Sequence, residues 1–197
     1  VEFLWKFRVP LFVYRQGGRH RTFERVLCDA DDDIEFYHPE KELITAQSRS
    51  NHQGRGEAVH QELAQGILDD MNANEREAMA LYNRLRIKSI DVSTSKRHLP
   101  VNRLLTYYFK GDLHNVLHYL GLRLESHAQY EIREASEAIA MGVKAVAPWT
   151  YDAFEKYKLN SMSFSSTEIE IVKAILTGQS PESAYPKNWG EKNRERL

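Results

Sequence analysis

The sequence predicts an α+β fold in which helix dominates, and three observations carry that prediction. The first nine residues alternate with period two, two later stretches repeat apolar residues at three- and four-residue spacing, and no repeat or low-complexity run interrupts them. The chain has 197 residues, 42% of them apolar. That suits one domain over 1–197 whose core needs neither disulfide nor structural metal, with 163–197 as a peripheral tail.

Val1, Phe3, Trp5, Phe7 and Val9 fall on one side of the opening segment and Glu2, Leu4, Lys6 and Arg8 on the other, which predicts a strand with one buried face ending at Pro10. Proline at a first turn then favours a helix over LFVYRQGGRHR, weakened or ended by Gly17 and Gly18. Leu27 to Pro39 shows neither period and reads as a loop held to the body by Phe36 and Tyr37. From Glu57 to Ile87, Leu63, Ile67, Met71, Ala78, Leu81, Tyr82 and Leu85 predict one long helix, or two joined by a break around Asn72 to Glu75. Pro100 opens another segment. From Asp112 to Pro148 the phase of Leu113, Val116, Leu117, Leu120, Leu124, Ala128, Ile132, Ala135 and Ile139, with at most short breaks, predicts the largest core helix. Ser165, Ser166 and Thr167 offer caps for a short helix over Glu168 to Leu176, before a polar end.

Charge and composition exclude several classes. With 27 basic and 28 acidic residues the chain lacks the domain-wide positive excess of a duplex-DNA binder. No apolar run is long enough for a membrane-spanning helix. One cysteine, Cys28, excludes an internal disulfide and a thiolate-built zinc site and points to a reducing, cytoplasmic setting. The chain opens on Val, and residues before Val1 are expected.

Two constellations could carry chemistry. Arg15, Gln16, Arg19, His20 and Arg21 crowd one turn, with Arg25 close by, and repel one another unless an anion such as phosphate sits among them or solvent surrounds them. GGR lacks the GK[ST] of a triphosphate loop. The second set is His114, His118, Arg123, His127, Gln129, Glu131 and Arg133. His114 and His118 share a helix face, but the HExxH pattern is missing, so the set reads as hydrogen-bonded interface residues or as a ligand site rather than a zinc site. Arg123 and His127, a turn apart amid leucines, are costly unless a ligand or partner chain satisfies them. Asp29, Asp31, Asp32 and Asp33 miss the calcium-loop spacing and read as a solvated acidic turn. No metal site is expected.

The run PLFVYRQGGRHRTF resembles the signature region of the flavin-dependent thymidylate synthases (the ThyX family), whose motif is RHRxxSxNxxSxR. DLHNVLHYLGLRLESHAQYEIR resembles their long helix, and QSRSNHQGRGE, LPVN and PWTYDAF follow in the family's order. The resemblance covers Val1 to about Phe154. It implies a central antiparallel sheet packed with long helices, in a homotetramer with shared active sites. It also implies FAD as cofactor, with methylenetetrahydrofolate and NADPH as co-substrates, in the C5 methylation of dUMP without a cysteine nucleophile.

Position by position, the resemblance places Arg15, Gln16, Arg19, Arg25, Lys96 and Arg123 on the nucleotide. It places Arg19, His20, Arg21, Asp112, Leu113, His114, His118 and His127 on the flavin. Arg123 takes the catalytic position, where a fixed cation favours negative charge on the pyrimidine as N3 ionises and makes C5 more nucleophilic.

Three departures stand out. SxNxxS is absent after RHRTF, while Glu24-Arg25-Val26 reads as the end of SxRY, so about six residues are expected to be missing between Phe23 and Glu24. The family's phosphate arginine before LPVN appears as Lys96, with Arg97 beside it. The usual Trp-aliphatic pair between RQ and RHR is Gly17-Gly18, which either widens the sugar pocket towards UMP, as in ThyX-like methylases of nucleoside-antibiotic pathways, or only adjusts the helix. The rival readings are a non-catalytic flavin- or nucleotide-binding homologue and a single-strand nucleic-acid binder.

Overall fold

Alternation, proline punctuation and helical phase resolve into elements in the computed structural model, which describes residues 1–18, 23–28, 34–48, 55–125 and 128–185. Among these are the strands β1 (Glu2–Pro10), β2 (Glu24–Leu27), β3 (Thr45–Gln47), β4 (Arg55–Ala58) and β5 (Leu104–Asp112). The helices are α1 (Leu11–Gly17), α2 (Gln61–Ile87), α3 (Val92–Lys96), α4 (Leu113–Arg123), α5 (Tyr130–Val146), α6 (Pro148–Phe154) and α7 (Ser166–Leu176). Two compact units contain them, Val1–Glu155 and Lys156–Leu197.

In the first unit an antiparallel sheet runs in the order β1-β5-β2, with Glu2 opposite Asp112 and Pro10 opposite Leu104. β3 and β4 form a separate two-stranded ribbon. The pleat sends Phe3, Trp5, Phe7 and Val9 to the same face as Leu105, Tyr107 and Phe109, and helices cover that face. Val116, Tyr119 and Leu120 of α4 are buried, and Tyr119 lies 5.7 Å from the ring of Phe109. Gly142 of α5 admits the Trp5 indole, whose nitrogen is 3.2 Å from where a Cβ would stand. The opposite face exposes Leu4, Val26 and Tyr108.

Several expectations need correction. The stretch after Asp112 is two helices rather than one, because Gln129 is extended (φ −60, ψ 143) and starts α5 afresh. The apolar phase runs on because both helices bury residues in one core. The longest helix is therefore α2, and it has no break at Asn72 to Glu75. Its apolar stripe lapses there because Glu75 is a buried polar residue. Glu57 belongs to β4. β5, the central strand, escapes the sequence pattern because Leu104 and Tyr108 put large apolar groups on its outer face too.

In the second unit Ser165 caps α7 through a capping box with Glu168, as the sequence predicts. Among the described residues no helix is long and apolar enough to cross a membrane.

Candidate functional site

The site begins where α1 ends. Pro10 presets the entry to α1, and the N–H groups of Leu11 and Phe12, which have no acceptor within the helix, donate to Arg103 O at 2.9 Å, just after LPVN, and to Val101 O at 3.1 Å within it. This fixes the helix that delivers Arg15, Gln16, Gly17 and Gly18. Arg15 is exposed, and Gln16 turns inward.

Arg123 closes α4. Its Nη2 donates to Gln16 O at 3.3 Å, and its Nε is buried with no hydrogen-bond partner among the described residues. An always-charged group held in this way, with one donor open, suits a ligand that brings an acceptor. Gln16 Nε2 donates to Gln129 Oε1. Gln129 Nε2 donates to Glu131 Oε2 at 3.2 Å. Glu131 Oε1 also accepts from Arg55 Nη2 at 2.5 Å and from the Tyr37 hydroxyl at 3.5 Å. Arg55 lies 4.5 Å over the ring of Tyr130, and its Nη1 is buried without a partner among the described residues. Burial, and then the charge of Glu131, push the Tyr37 phenol up from its ordinary value.

The loop that brings Tyr37 is itself pinned from within. Its N–H donates to Asn102 O, and Asn102 Nδ2 donates both to Tyr37 O at 2.9 Å and to Glu75 Oε1 at 2.6 Å. His38 Nε2 meets Glu75 Oε2 at 2.9 Å. A cleft of about 470 Å³ lies beside this network, with Phe7, Val9, Tyr37, Glu131 and Glu134 in its wall.

The chain passes directly from Phe23 into β2. Phe23 stacks on Phe109 at 4.2 Å, over Gly111, and Glu24 stands opposite Lys110. Arg25 lies on the inner face, where Nη1 donates to Tyr14 O at 3.1 Å and the guanidinium covers the Tyr14 ring at 4.6 Å. The two glycines differ. A Cβ on Gly18 would lie 2.7 and 2.9 Å from the Arg25 guanidinium nitrogens, whereas one on Gly17 would meet nothing within 4 Å among the described residues.

Arg123, Gln16 and Arg25 thus gather around α1. Lys96 ends α3 and is half-buried. Asp112 caps α4 by accepting from Asn115 N at 2.9 Å, and that bond holds its carboxyl below the usual aspartate range. Leu113, His114 and His118 follow along α4, both histidines exposed. At 1.5 Å per residue the Asp112 end lies roughly 15 Å from Arg123. Arg19, His20, Arg21 and His127 lie outside the described residues, as do Asp29, Asp31, Asp32, Asp33 and the middle of QSRSNHQGRGE. Sequence reasoning singled out Gln129 and Glu131, took Tyr37 only as an aromatic holding its loop to the body, and gave no role to Arg55. The signal available was the last arginine of that same run.

The family model described as "Thymidylate synthase complementing protein" matches residues 1–149. A flavin-dependent thymidylate synthase of Ehrlichia ruminantium (strain Gardel) is 38% identical over 181 residues, covering 90% of this chain and 61% of the relative. One from Treponema denticola is 34% identical over 183 residues, covering 91% and 69%. The chain thus spans 61% of the length of the first of these relatives. The fold is similar to that of the UMP/dUMP methylase PolB from Streptomyces cacaoi bound with 5-Br UMP. The TM-score is 0.73 and the identity 23%, with 82% of this chain and 76% of the other covered.

Proposed function

The chain belongs to the thymidylate synthase complementing protein family, with relatives named flavin-dependent thymidylate synthase, and from that premise we propose that it methylates a uridylate at C5, converting dUMP to dTMP. The carbon donor is methylenetetrahydrofolate and the reductant NADPH. FAD, when bound, supplies the redox chemistry of the transfer.

The observation that carries this reading is Arg123, whose buried Nε has no partner among the described residues while Nη2 is tied to Gln16 O. A cation fixed there favours negative charge on a pyrimidine ring beside it and makes C5 a better nucleophile. Gln16 and Arg25 hold the nucleotide from the α1 side, with Arg15, Arg19 and Lys96 as further contacts. The donors towards FAD are Arg19, His20, Arg21, His114, His118 and His127, with Leu113 and the Asp112-capped start of α4. Imidazoles, guanidinium groups and helix N–H donors suit the phosphates of such a cofactor. The wide separation of the Asp112 and Arg123 ends of α4 favours sites shared between copies of a homotetramer. The setting is cytoplasmic.

One observation favours a second substrate. The open space at Gly17, next to Gln16, leaves room for a ribose 2′-hydroxyl, so UMP is the alternative.

Purified chain, incubated anaerobically with FAD, NADPH and methylenetetrahydrofolate, is offered dUMP or UMP and the product weighed. A methyl gain on dUMP supports the proposal, a gain on UMP as well supports the wider pocket, and no gain on either overturns both.

A further inference from the structure

We infer that Gln129, Glu131 and Arg55 form a one-way hydrogen-bond relay that fixes the side-chain amide of Gln16 with its carbonyl oxygen open to the ligand. This position then selects a substrate that brings a hydrogen-bond donor.

A side-chain amide can flip end for end, and nothing intrinsic to Gln16 decides which end faces outward. The decision is made three residues away. The Glu131 carboxylate, paired with Arg55, offers acceptors only. Its Oε1 takes Arg55 Nη2 and the Tyr37 hydroxyl, so its Oε2 must be met by a donor, and Gln129 Nε2 supplies it. That commits the Gln129 amide, because flipping it would set oxygen against oxygen. Gln129 Oε1 then faces Gln16 and can only accept, so Gln16 meets it with Nε2. The remaining Gln16 Oε1 is an acceptor in search of a donor.

Arg55 is the anchor of this chain. Its guanidinium lies over Tyr130 and holds the charge of Glu131 in place. Arg55, Gln129 and Glu131 are therefore positioning residues that act through Gln16.

The inference rests on the reading that Gln16 touches the nucleotide. Two groups on a uridylate could be the donor, the ring N3–H or a sugar hydroxyl, and the shared chemistry is a single N–H or O–H aimed at an amide oxygen.

The test uses the full chain and two variants. Glu131→Gln replaces the acceptor-only end by an amide that can turn either way, and Gln129→Leu cuts the relay without touching the Arg55–Glu131 pair, which covers the case where Glu131→Gln fails to fold. Equilibrium dialysis compares dUMP with its N3-methyl and its 3′-deoxy analogues. The unaltered chain should lose roughly tenfold in affinity for whichever analogue lacks the donor, which identifies the source as ring or sugar. Both variants should bind dUMP roughly tenfold more weakly and no longer distinguish that analogue from dUMP. Variants that keep the full penalty overturn the relay.

Hydrogen exchange of the Gln16 side-chain amide, read by NMR without ligand, separates the two layers. Slow exchange in the unaltered chain and fast exchange in Gln129→Leu supports the relay even if dUMP fails to bind, in which case it is the substrate reading that fails. Equally fast exchange in both overturns the relay whatever binds.

Discussion

Arg25 occupies the space that a side chain on Gly18 would fill, with its guanidinium nitrogens 2.7 and 2.9 Å from the Cβ position. The glycine pair therefore does two different things. Gly18 lets a guanidinium dock against the end of α1, whereas Gly17 leaves a void.

Substituting each glycine should separate these roles. Gly18→Ala pushes aside the flexible end of Arg25, loosening its hold on Tyr14, and should cost less than about 1 kcal/mol of stability while weakening nucleotide binding about tenfold. Gly17→Ala meets no atom and replaces a helical glycine, so it should stabilise by about 0.5 kcal/mol with binding unchanged. Urea unfolding and dUMP titration on both variants check the pair.

Glu75 should be expensive to remove. Glu75→Leu leaves the half-buried His38 ring and the Asn102 amide without their carboxylate, at a cost of roughly 2–4 kcal/mol in chemical denaturation. Because the same contacts pin the Tyr37 loop, Glu75→Leu should also make the amide proton of Tyr37 exchange faster.

Two exposed N-cap aspartates set an acid limit. The Thr94 side chain and then its N–H lower the Asp91 carboxyl, and Asn115 N lowers that of Asp112. Both folded values lie below the unfolded ones, so each cap stabilises fully above the ordinary aspartate value near about 4 and is lost as pH falls through the lower folded value. Melting temperature measured from pH 6 to pH 2 should fall less steeply in Asp112→Asn, which keeps an acceptor but no titrating charge.

Arg123→Lys tests the catalytic assignment. Lysine keeps the charge but cannot bond Gln16 O and present a second planar donor together. Single-turnover formation of dTMP should slow by about a hundredfold with the fold intact by circular dichroism.

Local signals made part of this fold legible. Period two gave β1, Pro10 gave the start of α1, and Ser165 with Glu168 gave the cap of α7, because each is decided by neighbours in sequence. β5 was missed since its outer face carries Leu104 and Tyr108, which hide the alternation that a half-buried strand should show. The division of α4 from α5 was missed because apolar phase survives a change of direction when both helices face one core. Arg123, Gln129 and Glu131 stood out as polar groups on apolar helices. Arg55 did not, nor did the hydroxyl of Tyr37, because their partners lie far along the chain and only folding introduces them.

The sheet order carries a consequence for how the chain reaches its folded state. β1 has no sheet partner until β5 arrives, since Glu2 pairs with Asp112 and β2 also pairs with β5. During synthesis Phe3, Trp5 and Phe7 are therefore made long before the strand that buries them, and closing so long a loop is slow. That delay leaves the nascent β1 exposed to mispairing between chains, and gives a holding chaperone reason to cover it.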